Sequence, residues 1–182
     1  MSAHFKAPAP GFLIYVIYTV LEPVYFWDLF LIYIYIYTIP LCTAGTNKMG
    51  RRYTPVVIGV GDVKNKSTRI EDAHEPARLM LQSIAEAIKD TKLSPSGRKE
   101  LQSKIDSIHV VNTWSWAYPN LPGLLAEKLG VNPSYKVLSH HGGDSPAKLF
   151  DEAARRVSFG QAKVAIVTGG ESLASRELST LT

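Results

Sequence analysis

The residues best placed to do chemistry in this 182-residue chain are Ser139-His140-His141-Gly142-Gly143-Asp144-Ser145-Pro146. They connect a short apolar run to an amphipathic one, so the pattern predicts a turn between a strand and a helix N-terminus. Free backbone amides and the helix dipole at such a point favour anions and oxyanions. Two adjacent glycines let a ligand approach the backbone closely. Asp144 or Ser145 suits the helix cap, and Pro146 suits its first turn. A capped turn accounts for those three residues but not for two adjacent histidines. Neighbours on an extended segment point opposite ways, so at most one of His140 and His141 faces a site. Two histidines are too few for a metal centre, and none is expected.

Other stretches offer less. Gly59-Val60-Gly61 follows a strand-like run, but Lys64 stands where a dinucleotide fingerprint needs its third glycine. The expected role is a strand end with a flexible turn. No phosphate-binding Gly-x-x-x-x-Gly-Lys-Ser/Thr loop occurs. The net charge of +4 is mild, and the basic pairs Arg51-Arg52 and Arg155-Arg156 read as solvated faces, so nucleic acid is not an expected partner. Cys42 is the single cysteine. It excludes an internal disulfide and favours a reducing intracellular compartment such as cytosol, peroxisome or mitochondrion.

The elements that position these residues alternate between strand and helix. Residues 55–61, 105–112, 135–138 and 163–168 read as strands. A helix is expected to start at Glu71-Asp72 and to bury Ala77, Met80, Leu81, Ile84, Ala87 and Ile88. Ser94-Pro95-Ser96-Gly97 reads as loop. A short helix follows Asn120-Leu121-Pro122 and ends at Gly130. A third helix buries Ala147, Phe150, Ala153, Ala154 and Val157 and ends near Gly160. This order predicts an α/β fold with a mostly parallel sheet and helices on both faces. Ligand chemistry then belongs at the carboxyl ends of the strands, in 61–66, 112–118, 139–145 and 169–172.

Residues 1–48 stand apart from 49–182. They hold only Lys6, Glu22, Asp28 and Lys48 as charged side chains. Glu22-Pro23 and Asp28 interrupt an apolar stretch that would otherwise reach the roughly 20 residues needed to span a bilayer. Ile and Tyr alternate over 32–37, which is what a translated TA-dinucleotide repeat encodes. We therefore expect 1–48 to be translated non-coding sequence ahead of a true start at Met49. A membrane segment over 12–42 is the alternative reading.

A strand, a glycine-flanked turn, a helix, a strand and then Gly169-Gly170-Glu171-Ser172 together resemble the thiolase superfamily. Within it, the chain is most similar to the thiolase-like acetyl-CoA acetyltransferase proteins related to sterol-carrier thiolases. In that family a reactive Cys-x-Ser-Gly opens the buried helix, and the next strand ends in Gly-Gly-x-Glu-Ser. Gly143-Asp144-Ser145-Pro146 stands at the first motif, and Gly169-Gly170-Glu171-Ser172 stands at the second with one residue fewer. Ile58-Gly59-Val60-Gly61 resembles the opening strand. The resemblance covers 55–175 and implies the N-terminal half of such a fold.

The resemblance also implies an acyl thioester of coenzyme A as ligand near residues 140–145, with no covalently bound cofactor. It gives Gly169, Gly170, Glu171 and Ser172 a structural role. It puts Gly143 at the nucleophile position, where the family needs a thiolate to take the acyl group. Ser145 matches the family's structural serine, and nothing places Cys42 at the turn. The catalytic histidine and second cysteine belong to the family's second half, which would lie beyond Thr182. The expectation is an acyltransferase-family piece with little activity alone and with sheet edges prone to self-association. The rival expectation is a non-catalytic, membrane-associated binding protein anchored by 12–42.

Overall fold

A computed structural model describes residues 12–15, 53–65, 67, 69–114 and 116–172, with the backbone alone for 12–15 and Ile70. Five strands form one sheet in the order β2-β1-β5-β3-β4. They are β1 (Phe12–Tyr15), β2 (Val56–Val57), β3 (Ile105–Val110), β4 (Tyr135–Leu138) and β5 (Val164–Thr168). Every pairing is parallel. The helices are α1 (Pro76–Asp90), α2 (Pro95–Ser103), α3 (Leu121–Leu129) and α4 (Ser145–Ser158). The α/β class with a parallel sheet is the one the strand–helix alternation predicts.

Helices cover both faces. Met80, Ile84 and Ala87 of α1 and Leu121, Leu125 and Ala126 of α3 pack on Ile108, Val110, Val164 and Ile166. Leu149, Ala153 and Val157 of α4 pack on Ala165 and Val167 from the other side. Successive β5 residues therefore feed opposite cores, as the two-residue strand period requires. Burying each large aliphatic side chain here stabilises the fold by roughly 1.5–3 kcal/mol.

Several local expectations change. Glu71 and Asp72 lie in a separate 3-10 turn, Ile70–Asp72, and do not open α1. Pro76 sets that start, because the residue before a proline is driven out of the helical region. Glu75 is accordingly extended, at φ −69° and ψ 153°. Residues 95–103 form α2, where the sequence pattern predicts a loop at 94–97. Its N-cap is Ser94, whose side chain accepts from the Gly97 amide at 3.2 Å. Only Leu101 of α2 is buried, so no apolar stripe betrayed the helix. On α4 the buried face runs through Leu149, Ala153 and Val157, while Ala147 is exposed. The pair Arg155-Arg156 is also not uniformly solvated: Arg155 bonds Asp151, but the Arg156 guanidinium lies 3.5 Å over the Tyr135 ring.

Phe12–Tyr15 adds a strand that the sequence pattern did not assign to the sheet. It pairs with β5 from Phe12↔Val164 to Tyr15↔Val167 and with β2 through Phe12↔Val56. Its FLIY sequence fits a short buried strand, but the longer apolar stretch around it hid that local signal. The rest of 1–48, including Cys42 and the alternating Ile and Tyr, lies outside the described residues. So do Met49, Arg51 and Arg52.

The run after β2 is held by close approach to α1, not by turn flexibility. A Cβ on Gly59 would stand 2.1 Å from the Ala87 carbonyl oxygen, and one on Gly61 would stand 2.0 Å from that of Ser83. Ser83 and Ala87 are one helical turn apart, so the two glycines lie along a single ridge of α1. The Val60 amide donates to Asp90 Oδ2 at 3.0 Å, near the end of the same helix. These contacts replace the flexible-turn reading with a packing reason for both glycines. Gly61→Ala is expected to lower unfolding free energy by about 1–3 kcal/mol, the range for forcing extra volume into a packed contact. Urea denaturation followed by circular dichroism measures it.

Candidate functional site

Three of the four strand-end segments meet at one end of the sheet. After β3, the Val111 amide donates to Thr168 O at 2.8 Å, and the Asn112 amide donates to Ser139 Oγ at 3.0 Å. After β4, the Ser139 amide donates to Val110 O at 2.9 Å. After β5, a Cβ on Gly169 would press to 2.7 Å from the Val111 Cβ, so glycine lets the two chains close. The Trp114 amide donates to the Glu171 carboxylate. Trp116 Nε1 lies 3.5 Å from Ser172 O, and Ser172 Oγ donates to His74 O at 2.6 Å. Glu171 and Ser172 thus tie the aromatic loop to the entry of α1. The fourth segment bonds elsewhere: Asn65 Nδ2 donates to Asp72 O, and Ser67 Oγ donates to Asp72 Oδ2, both at 2.6 Å. Lys66 and Ser115 lie outside the described residues.

The turn at 139–145 is built around Ser145. Its hydroxyl donates to His140 O at 2.7 Å, and its amide donates to Gly142 O at 3.1 Å. The residue is 5% exposed. Ser139 Oγ donates to the same His140 carbonyl at 2.8 Å. Asp144 precedes the helix but makes no side-chain cap. Its carboxylate instead pairs with Lys148 one turn on, at 2.5 Å, and that bond holds its pKa below the usual carboxylate value. The Lys148 amide is taken by Asp144 O, and Pro146 has no N–H. Fewer amides of this helix start are therefore open to an anion than the sequence pattern suggested.

His140 and His141 are both exposed. The His141 ring lies 4.3 Å from the Trp114 ring, tilted 41°, with its Nε2 3.3 Å from Asn112 Nδ2. Trp114 is 70% exposed, so its indole forms an open rim beside the turn. Gly142 and Gly143 differ. A Cβ on Gly142 would meet Asp144 Oδ1 at 2.9 Å, whereas one on Gly143 would meet nothing within 4 Å. Gly143 is exposed and has an ordinary backbone conformation. Sterics at the Cβ position do not require glycine there.

Two groups of polar residues escaped the sequence reading. The first is Tyr118. Its hydroxyl accepts from the Ala77 amide at 3.2 Å and donates to Glu75 Oε2 at 3.1 Å. Glu75 supplies no side-chain cap to α1, so Tyr118 caps that helix from the aromatic loop. Burial, with the nearby Glu75 carboxylate, pushes the phenol up to about 12, while the Ala77 bond acts against the rise. The second group is Ser107, His109, Tyr135, Glu152 and Arg156 between the sheet and α4. Lone polar letters inside apolar runs were its only signal.

Among the described residues, no group of His, Cys, Asp and Glu could hold a metal, and no helix is long and apolar enough to cross a membrane. A groove of about 320 Å³ opens at the other end of the sheet, lined by Ile58, Thr91, Leu93, Leu101, Lys104 and Val164 among others. Its lining is mainly apolar, with Glu100 and Lys104 paired on each other. It offers no acid–base pair to a reacting group.

The chain is similar to a crystal structure of a monomeric SCP2-thiolase-like protein type 1 from Mycobacterium smegmatis, with a TM-score of 0.53 and 23% identity. The fold is thiolase-like. The match covers 64% of this chain and 23% of the mycobacterial one, so the chain spans less than a quarter of that protein. No protein-family model and no curated protein matches the sequence.

Removing the Tyr118 hydroxyl tests the long-range cap. Tyr118→Phe keeps the ring and leaves the Ala77 amide without its acceptor. The expected cost is about 1 kcal/mol, the usual value of one such bond or cap. Hydrogen exchange should show the loss concentrated in the first turn of α1.

Proposed function

We propose that this chain is the amino-terminal part of a thiolase-like protein, and that its 140–145 turn holds the carbonyl end of a coenzyme A-type acyl thioester without exchanging the acyl group. Gly143 carries the reading. It lies at the mouth of α4, at the carboxyl ends of the strands, exposed and unstrained, with open space where a side chain would stand. That space suits ligand atoms, and the two glycines expose backbone to them.

Transfer chemistry lacks a nucleophile at this turn. Taking an acyl group from a thioester needs a thiolate or an activated hydroxyl. Gly143 supplies neither. The Ser145 hydroxyl is buried and already donates to His140 O, so no base is set to take its proton. His141 is held at the rim by Trp114 and Asn112 and is bonded to neither glycine nor serine of the turn. The chain then acts as a binding half, and catalysis, where it occurs, requires groups beyond this stretch.

Two measurements test the proposal. Titrating S-acetylpantetheine into the full chain should shift the amide resonances of residues 140–145 and of Trp114. A turn unmoved at millimolar ligand would end the reading. Acetyl-CoA incubated with the same chain should release no free coenzyme A. Robust release would show that another residue serves as nucleophile.

Gly143→Cys, made with Cys42→Ser, should restore the first covalent step. The helix N-terminus is expected to lower the new thiol's pKa below about 8.5. Its thiolate would attack the acetyl carbonyl, the bond from carbonyl carbon to coenzyme A sulfur would break, and coenzyme A would leave as its thiolate. Intact mass spectrometry should show one added acetyl group. A folded variant that stays unmodified would remove Gly143 from the nucleophile position.

A further inference from the structure

The sheet face under α4 carries a buried polar cluster that ligand binding at the turn does not use. Ser107 and His109 stand two residues apart on β3, so both face the same side. Both are fully buried. Ser107 Oγ and His109 Nε2 are 2.8 Å apart, while the other ring nitrogen, Nδ1, is buried with no hydrogen-bond partner.

The groups around that ring come from three elements. From β4, the Tyr135 ring lies 5.4 Å away. From α4 come Glu152, which accepts from the Tyr135 hydroxyl, and Arg156, which stacks over the Tyr135 ring. Arg156 Nε is likewise buried and unpartnered. From β5 the facing residues are Ala165 and Val167, which are apolar. A proton added to His109 would put an N–H on Nδ1 with no acceptor and a second positive charge near Arg156. Glu152 is the counter-charge, and its carboxylate is already engaged by Tyr135.

Helix α4 also fixes the 142–145 turn, because Ser145, its first residue, bonds His140 O and Gly142 O. We propose that the Ser107–His109 pair is an acid-sensitive latch: with His109 neutral it keeps α4 on the sheet, and in acid it releases α4 together with the turn that Ser145 anchors. The latch does not depend on what that turn binds.

Its working range follows from the imidazole. Burial, the largest cause, pushes His109 from the ordinary 6.5 down to about 4, with Arg156 acting the same way and Glu152 opposing. Between those values the opened chain binds the proton and the closed one does not. Stability from the neutral ring is therefore complete above about 6.5 and is lost as pH falls toward about 4.

Amide hydrogen exchange on the full chain, corrected for its intrinsic pH dependence, tests the latch. Between about pH 6.5 and 5, α4 protection should fall about tenfold relative to α1. His109→Gln, which cannot titrate, should flatten that difference. Should that variant fail to fold, carbon NMR of the wild-type imidazole decides, with His109 expected to stay neutral through about pH 5.5 in the closed form. Protection of α4 that tracks α1, an undiminished acid response in His109→Gln, or a folded-state imidazole titrating near pH 6.5 would each overturn the proposal.

Discussion

Burial of β5 on both faces is the constraint on which the other features rest. All five of its residues are inaccessible, and Val164 to Val167 alternate between the core under α1 and α3 and the core under α4. A strand in that position needs its amides paired and its side chains apolar; the exception is Thr168 at its end, whose buried hydroxyl has no hydrogen-bond partner. Its neighbours β1 and β3 supply the ladder. Its start is fixed by Asp106, the residue displaced where the β3 register shifts between Ile105 and Ser107. The Asp106 carboxylate accepts from the Lys163 and Val164 amides at 3.0–3.2 Å. The irregularity thus has a purpose: it turns an acid toward two amides at the strand's entry.

The same strand decides where chemistry can sit. Parallel strands end on one side, so the turns after β3, β4 and β5 are brought together without any long loop. Glycine at 169 lets the chain pass Val111, and Glu171 and Ser172 then fasten the aromatic loop. Gly143 differs in kind. Gly59, Gly61 and Gly169 answer to crowding, whereas Gly143 answers to none. It is a glycine at the opening of a helix for which crowding gives no reason.

Much of this was legible in the sequence, unevenly. Residues 135–138, the helix from Leu121 to Gly130 and the α4 segment could be read from short apolar runs and from turn residues at their ends, although the expected side-chain cap is made only at Asn120 and not at Asp144. The Asn120 side chain does accept from the Gly123 amide, and Gly130 ends its helix at φ 66°. Helix α2 was not legible, since a cap without an apolar stripe looks like a loop. Phe12–Tyr15 was obscured by the apolar residues around it. At the site, the turn could be found but its wiring could not: that Ser145 bonds His140 O, or that Asp144 prefers Lys148 to the helix cap, depends on distances no spacing rule gives. His109 and Tyr118 were missed because their meaning depends on distant residues: Tyr135, Glu152 and Arg156 around His109, and Ala77, 41 positions from Tyr118.

Tyr118 has a consequence for how the chain assembles. The amide it caps, that of Ala77, lies 41 residues earlier, so that amide lacks its acceptor until the aromatic loop is in place. Closing a loop of that length costs about 3 kcal/mol in chain entropy, while the single bond returns about 1 kcal/mol. The phenol therefore cannot nucleate the helix. Its bond depends on the packed apolar faces, which bring the aromatic loop to the start of α1.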